Sequence, residues 1–160
     1  MPPVISVVGK SGSGKTTFIE LLIPELKKRG YKIGTIKHTN QNFEFDKPGK
    51  DSRRHKRSGA DTVIIASNAK FAMVKDIDSA NLDYFKSYFE DMDLVITEGY
   101  KKDSKPKIEI IRSGRSTVPL DLKTEERLAL VTDTYTGIDI PCFGLKDIAD
   151  VADLIERKFL

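Results

Sequence analysis

Eight residues near the amino terminus combine glycines, a lysine and a threonine at a spacing that suits phosphate binding. The stretch GKSGSGKT matches the pattern G-x-x-x-x-G-K-[ST] at every position. Glycines let the backbone turn its N–H groups toward phosphate oxygens, and the following helix adds the partial positive charge of its N-terminus. We therefore predict a nucleotide-binding loop in which Lys15 reaches the β- and γ-phosphates and the Thr16 hydroxyl binds Mg²⁺. The predicted phosphate contacts are Gly9, Ser11, Gly12, Ser13, Gly14, Lys15 and Thr16.

A loop of this kind needs a second, acidic residue that holds or orients the Mg²⁺ ion. The sequence DLVITEG at residues 93–99 places a carboxylate and a glycine directly after an apolar strand. We therefore predict that Glu98 shares the metal with Thr16 and that Lys15 and Glu98 are the catalytic residues. The alternative for Glu98 is an exposed carboxylate at the end of a strand. Two rival metal ligands lie in the polar loop after the second predicted strand, Asp46 and Asp51.

Basic residues are concentrated after that loop. Six of them lie between Lys47 and Arg57, with one acid among them. A solvated helix face explains this cluster as well as an anion clamp over the nucleotide or over a second phosphorylated ligand, and both interpretations stay open. The clamp would use Lys50, Arg53 and Arg54. A smaller basic patch is predicted just after Glu98, formed by Lys101, Lys102, Lys105 and Lys107.

Two further residues are candidates because they end predicted strands. The carboxyl ends of strands face the ligand in parallel sheets of this type, so His38 is a candidate phosphate or substrate contact. Asp133 ends a later strand and could contact the nucleotide base. The sequence contains no Asn-Lys-x-Asp segment that would read guanine.

Strands and helices must alternate along the chain to position these residues. Short apolar runs predict strands at residues 4–8, 31–37, 61–67, 70–76, 94–97, 107–112, 128–132 and 141–144. Helical spacing predicts helices at 15–29 (with a kink or break at Pro24), 51–59, 79–92 (capped by Ser79) and 147–159. Segment 113–126 is predicted to be a long loop.

This alternation predicts a three-layer α/β fold, a mostly parallel sheet with helices on both faces. A tight turn at Asn68-Ala69 predicts one short antiparallel hairpin. The second hairpin strand, 70–76, is expected near the margin of the sheet, and its uncharged edge invites pairing in a two-fold dimer. We expect one nucleotide-binding domain over residues 1–160.

Composition narrows the function classes. A net charge of +3 is too small to predict a nucleic-acid-binding protein. No apolar run approaches 18 residues and no signal peptide is evident, so no membrane partner is expected. The single cysteine, Cys142, suits the reducing cytoplasm.

Several blocks occur together in an order that one family shares. They are GSGKTT at 12–17, GTIKHT at 34–39, DKPGKDS at 46–52, SGA at 58–60 and EGYK at 98–101. With these blocks the chain resembles the molybdopterin-guanine dinucleotide biosynthesis protein B family, whose members have the P-loop NTPase fold. The resemblance implies a homodimer that binds GTP with Mg²⁺ and hydrolyses it slowly at best. It also implies a partner, the molybdenum cofactor guanylyltransferase that joins GMP to molybdopterin, with molybdopterin as a further candidate ligand.

Within these blocks the resemblance extends the nucleotide site. The implied additional contacts are Thr17, His38, Asp46, Lys50 and Gly99. Two other functions remain open from the residues alone. One is a small-molecule kinase or ATP-dependent ligase related to dethiobiotin synthetase, with the basic segment as its lid. The other is a nucleotide-gated binding module without useful catalysis.

Overall fold

Six parallel strands form one sheet in the computed structural model, which describes residues 2–39, 43, 47 and 49–160. The described residues form eight strands in all. They are β1 (Val4–Gly9), β2 (Ile33–Lys37), β3 (Thr62–Ala66), β4 (Phe71–Lys75), β5 (Leu94–Glu98), β6 (Lys107–Ile111), β7 (Arg127–Thr132) and β8 (Cys142–Phe143). The order in the large sheet is β2-β5-β1-β6-β7-β8, and β3 pairs with β4 in a separate antiparallel sheet. The predicted mostly parallel α/β fold with a short antiparallel hairpin is therefore confirmed.

Three α-helices and two 3₁₀ helices complete the secondary structure of the described residues. They are α1 (Lys15–Lys28), α2 (Asp51–Arg57), α3 (Ile148–Phe159) and the 3₁₀ helices Leu82–Phe89 and Thr124–Glu126. The chain divides into two compact units, one with the residues up to His38 and Phe85–Leu160, the other Thr39–Tyr84. The expectation of one domain over residues 1–160 stays a prediction. No helix in the described part of the chain is long and apolar enough to cross a membrane.

The core of the larger unit lies between the sheet and the helix pair α1 and α3. Every residue of β1 is buried, as its nearly continuous apolar sequence requires for a central parallel strand. Helix α1 is continuous through Pro24, so of the predicted kink or break the break is wrong. Leu22 and Leu26, on either side of that proline, are almost completely buried in the core. Their packing holds the helix together where one backbone hydrogen bond is missing.

The helix predicted at 79–92 is instead a shorter 3₁₀ helix. The Asn81 side chain, not Ser79, accepts a hydrogen bond from the Tyr84 N–H at 2.9 Å, so the helix begins later than predicted. Tyr88 of this helix is 45% exposed. Phe89 lies against Gly34 of β2, where any larger residue would collide with its ring.

Two predictions are wrong, one about the position of a strand and one about a basic surface patch. Strand β4 does not lie at the margin of the large sheet, because it pairs only with β3 among the described strands. Lys107 does not belong to a surface patch, because its side chain is fully buried and its ammonium pairs with Glu126 at 2.9 Å. The ammonium also donates to the carbonyls of Asp103 and Lys105, which satisfies the buried charge.

Candidate functional site

The phosphate loop connects β1 to α1 and is packed tightly against β6. Gly9 has a φ of +152°, and a Cβ there would stand 2.6 Å from the backbone oxygen of Ile110 and 2.6 Å from Ser13 Oγ. A backbone oxygen cannot move aside as a flexible side chain can, so only glycine fits. Ser13 itself is buried beneath the loop. Its hydroxyl has no hydrogen-bond partner among the described residues.

The first turn of α1 is open to an anion. Gly14 precedes the helix in a left-handed conformation, and among the described residues no side chain caps this end and no acid lies in its first turn. The first N–H groups of a helix have no partner within the helix, and together they carry a partial positive charge. Thr16 and Thr17 are exposed there, as a phosphate contact requires.

The side chain of Lys15 folds back onto the phosphate loop. Its Nζ donates to the backbone oxygens of Lys10 at 2.9 Å and Gly9 at 3.3 Å. An ammonium has three donors, so one remains for a phosphate oxygen. Burial lowers the pKa of Lys15, Glu98 opposes that shift, and the neighbouring Lys101 and Lys37 add to it. These cations concentrate positive charge around the loop.

Thr16 and Glu98 meet as the sequence predicts. The Thr16 hydroxyl is 3.1 Å and 3.0 Å from the two carboxylate oxygens of Glu98. This contact arises because β5 pairs with β1 in parallel, with Glu98 opposite Val7. Lys37, on the next strand, places its Nζ 3.7 Å from the same carboxylate. Sequence reasoning did not single out Lys37 for this site.

These two oxygen-bearing side chains fit Mg²⁺, which prefers oxygen ligands and keeps several waters or phosphate oxygens. No group of three or more His, Cys, Asp or Glu residues could hold a metal in the described part of the chain. A metal here would therefore share its ligands with a bound nucleotide. Of the rival acids, Asp51 lies in the smaller unit, 3.4 Å from Arg54, and Asp46 lies outside the described residues.

His38 and Gly99 lie beside Glu98 as expected. The His38 N–H donates to the Glu98 backbone oxygen at 3.0 Å, and the Gly99 N–H donates to Val7 at 3.1 Å. The exposed His38 ring stacks at a tilt on Tyr100, with 4.9 Å between the ring centroids. Tyr100 has a positive φ of 52°, an uncommon conformation for a tyrosine. Burial raises the pKa of its phenol, with a smaller contribution from Asp103.

Asp133 makes contacts that its strand-end position did not predict. Its two carboxylate oxygens accept hydrogen bonds from the N–H of Ser113 at 2.7 Å and from the hydroxyl of Ser113 at 3.1 Å. It thus holds the turn that follows β6. Lys10, in the phosphate loop, donates to Ser116 Oγ of that turn at 2.8 Å. Sequence reasoning left this segment as a loop, and the only local indication was the Ser113-Gly114 pair after a strand.

The basic segment forms a separate feature in the smaller unit. Three of its cations line a cavity of about 190 Å³ whose other wall is the apolar face of the hairpin. The cations are Arg53, Lys56 and Arg57, and the hairpin residues are Val63, Ile65, Ala72 and Val74. Lys56 forms an ion pair with Asp76 in the same cavity. Lys50 and Arg54, two of the three predicted clamp residues, do not line this cavity.

A family model and two relatives of nearly full length match this chain. The family model described as molybdopterin guanine dinucleotide synthesis protein B matches residues 4–133. The molybdopterin-guanine dinucleotide biosynthesis adapter protein of Haemophilus influenzae is 39% identical, over 97% of this chain and 88% of its own length. The Escherichia coli protein of the same name is 32% identical, over 97% of this chain and 92% of its own.

Solved structures agree with the sequence relatives. The crystal structure of Bacillus subtilis MobB superposes with a TM-score of 0.78 at 26% identity, covering 99% of this chain and 98% of that one. The family match, the nearly full-length similarity and the shared fold confirm the resemblance that the sequence suggested. The chain belongs to the molybdopterin-guanine dinucleotide synthesis protein B (MobB) family.

Proposed function

We propose that this protein binds GTP together with Mg²⁺ and acts as an adapter in the synthesis of molybdopterin guanine dinucleotide. The observation that carries the proposal is the contact of Thr16 with Glu98 directly beside a complete G-x-x-x-x-G-K-T loop. The adapter role comes from the names of the relatives, and the preference for guanine comes from the family alone.

Each residue of the site has a separate task in this proposal. Lys15 places its charge on the β- and γ-phosphates, and the first turn of α1 supplies N–H donors to the same phosphates. Thr16 and Glu98 hold Mg²⁺, which when bound neutralises charge on the phosphate oxygens. Glu98 and Lys15 also support a slow hydrolysis of GTP. Because the site needs GTP and Mg²⁺, we place the protein in the cytoplasm.

The partner in this proposal is the guanylyltransferase that joins GMP to molybdopterin. The cavity of the smaller unit has a cationic wall and an apolar wall, which suits a flat ring system that carries a phosphate. Molybdopterin has that chemistry and is therefore the candidate ligand of the cavity.

We propose further that the protein is a homodimer joined through the hairpin β3–β4. An isolated two-stranded sheet is marginally stable in water, and this one exposes Ile64, Ile65 and Phe71. No other described strand pairs with either of its outer edges. A second copy of the hairpin would cover Ile64 and Phe71, which share one face of the hairpin, together with an open edge.

Calorimetric titration with a panel of nucleotides tests the proposed function. The parent chain should bind GTP with Mg²⁺ in preference to ATP. Lys15→Ala should weaken that binding by about 2–3 kcal/mol, the size of a lost charge-assisted contact. The matched control is Lys27→Ala, which removes the same side chain from the exposed far end of α1. Unchanged GTP affinity in a folded Lys15→Ala variant would contradict the assignment of the loop.

A second variant in the same titrations tests the metal ligands. Glu98→Gln should flatten the dependence of GTP binding and of phosphate release on Mg²⁺ concentration, because it removes a carboxylate that suits the ion. If Glu98→Gln behaves like the parent chain while Asp46→Asn does not, Asp46 is the acid that holds the metal.

A further inference from the structure

The turn after β6 is held by side-chain hydrogen bonds at both ends. At its start, the N–H and the hydroxyl of Ser113 donate to the two carboxylate oxygens of Asp133. At its end, Ser116 receives a hydrogen bond from Lys10 of the phosphate loop. Between these points, the N–H groups of Arg115 and Ser116 both donate to the backbone oxygen of Arg112, at 2.9 Å and 3.0 Å. The turn is thus closed on itself and attached to the loop.

This turn presents Arg115 to the phosphate loop. A Cβ on Gly12 would stand 3.2 Å from Arg115 Nε and 3.4 Å from its Cζ, so the guanidinium group lies directly on the Gly12 backbone. Arg115 is exposed, so the guanidinium beside Gly12 is accessible to a ligand. A planar cation with five donors in this position is suited to a phosphate oxygen.

The sheet order determines which part of a nucleotide would meet Arg115. Strands β5 and β6 flank β1 on opposite sides. Glu98 ends β5, and with Thr16 it marks the side on which the metal and the terminal phosphates belong. Arg115 follows β6 and therefore lies on the other side of the loop. A nucleotide held by Lys15 and Glu98 at its terminal phosphates extends its nucleoside end toward that side.

We propose that Arg115 is a nucleotide-binding residue that contacts the phosphate chain near its nucleoside end, and that Asp133 is the residue that positions it. The assignment rests on the proposed function, because it takes the loop to bind a nucleoside triphosphate. Asp133 acts through Ser113 on the turn and does not need to touch the base. Arg115 holds GTP and GDP alike, because both carry the phosphates next to the nucleoside.

Calorimetric titration of the full chain with GTP and with GDP, each with Mg²⁺, tests the assignment. Arg115→Ala should raise the dissociation constant about 10-fold for both nucleotides, a modest value for a charge-assisted contact at an exposed site. Arg115→Lys, which keeps the positive charge but loses the planar arrangement of guanidinium donors, should recover part of the affinity. The matched control is Arg157→Ala on the exposed side of α3, which should change neither constant more than about twofold.

The positioning role of Asp133 requires a double-variant comparison. Asp133→Ala should weaken nucleotide binding in the parent chain. It should have little further effect in the Arg115→Ala background, because Asp133 acts on the nucleotide only by positioning Arg115. Equal effects of Asp133→Ala in both backgrounds would overturn the positioning role. Thermal unfolding of each variant shows whether the fold is retained.

Other outcomes separate this assignment from the proposed function. If Arg115→Ala binds both nucleotides like the parent chain while Lys15→Ala does not, the loop binds nucleotide and the assignment of Arg115 is overturned. If Arg115→Ala weakens GTP alone, the guanidinium contacts the terminal phosphate and the placement near the nucleoside is overturned. A parent chain that binds neither nucleotide overturns the proposed function, and the assignment of Arg115 is overturned with it.

Discussion

The parallel sheet and the hairpin differ in where their apolar side chains lie. Every residue of β1 and of β6 is buried. In the hairpin, Ile64 is 57% exposed, Ile65 45% and Phe71 66%. The larger unit therefore supplies its own hydrophobic core, whereas the hairpin of the smaller unit leaves large apolar side chains exposed.

Charged side chains also lie in different surroundings in the two units. In the sheet, Glu109 and Arg127 form an ion pair at 3.1 Å with only 1% and 8% of their side chains exposed. Arg127 also donates to the carbonyls of Leu120 and Leu122, so the pair holds the long loop before β7 in place. In the smaller unit, α2 directs cations into a cavity. The first arrangement buries an ion pair within the sheet, whereas the second places charged side chains on the wall of a cavity.

The largest expected effect is a loss of stability when the buried Glu109–Arg127 ion pair in the sheet is broken. Glu109→Ala should lower the free energy of unfolding by about 3–5 kcal/mol, because it leaves the buried Arg127 charge unpaired. Urea unfolding followed by circular dichroism measures it. Glu25→Ala, which removes an acid from the partly exposed Arg29 cluster, should cost less than about 1 kcal/mol. Equal costs for the two variants would show that burial does not decide how much these ion pairs contribute to stability.

The next effect concerns the exposed hairpin. Met73 faces the same side as its cross-strand neighbour Ile64. Met73→Lys should raise the dissociation constant of the dimer on the order of 100-fold, because it places a charge in an apolar interface. Sedimentation at micromolar concentration should show twice the chain mass for the parent protein and the chain mass for the variant.

The control for this prediction is Asn68→Lys, which adds the same charge at the exposed hairpin turn and should leave the dimer intact. Nucleotide affinity should be nearly unchanged in both variants. A parent chain that sediments as a monomer at every concentration would refute the dimer. A Met73→Lys variant that stays dimeric would move the interface elsewhere.

A smaller effect is expected from the cations of α2. Replacing Arg53 and Arg57 with glutamine should spare GTP affinity but reduce formation of the dinucleotide cofactor with the partner enzyme several-fold, since both line the cavity. Replacing Lys50 and Arg54 with glutamine removes the same charge from outside the cavity and should have less effect. Loss of GTP binding would instead make the segment part of the nucleotide site. Full activity of both double variants would leave a solvated helix face as the explanation.

The smallest expected effect is a pH dependence of the unfolding free energy, caused by Asp133 in the larger unit. Hydrogen bonds from Ser113 lower the pKa of Asp133 below its ordinary value of 3.8. A lowered pKa in the folded state adds stability that is present above about pH 4 and is lost as the pH falls through the folded pKa. The difference in unfolding free energy between the parent chain and Asp133→Asn should therefore shrink below pH 4. Ser113→Ala, which keeps the backbone donor, should show part of this change.

Local sequence was sufficient for the parts of the site that lie within one stretch of chain. The loop from Gly9 to Thr16 has its chemistry in consecutive residues, and its glycines can be recognised without any tertiary contact. Glu98 was also predictable, because a carboxylate after an apolar run in an alternating α/β chain must come to the same edge of the sheet as the loop.

Only the tertiary structure decided the contacts between distant segments. The Lys107 charge is buried because strand pairing brings Glu126 to it, and a basic residue in the sequence carries no sign of such a partner. The same holds for Arg115, which reaches Gly12 because Asp133 and Lys10 hold the intervening turn. A short apolar run likewise identified β4 as a strand without indicating which sheet it joins. Residue types and local spacing thus determined the elements and the phosphate loop, whereas strand register and loop closure decided which distant side chains meet.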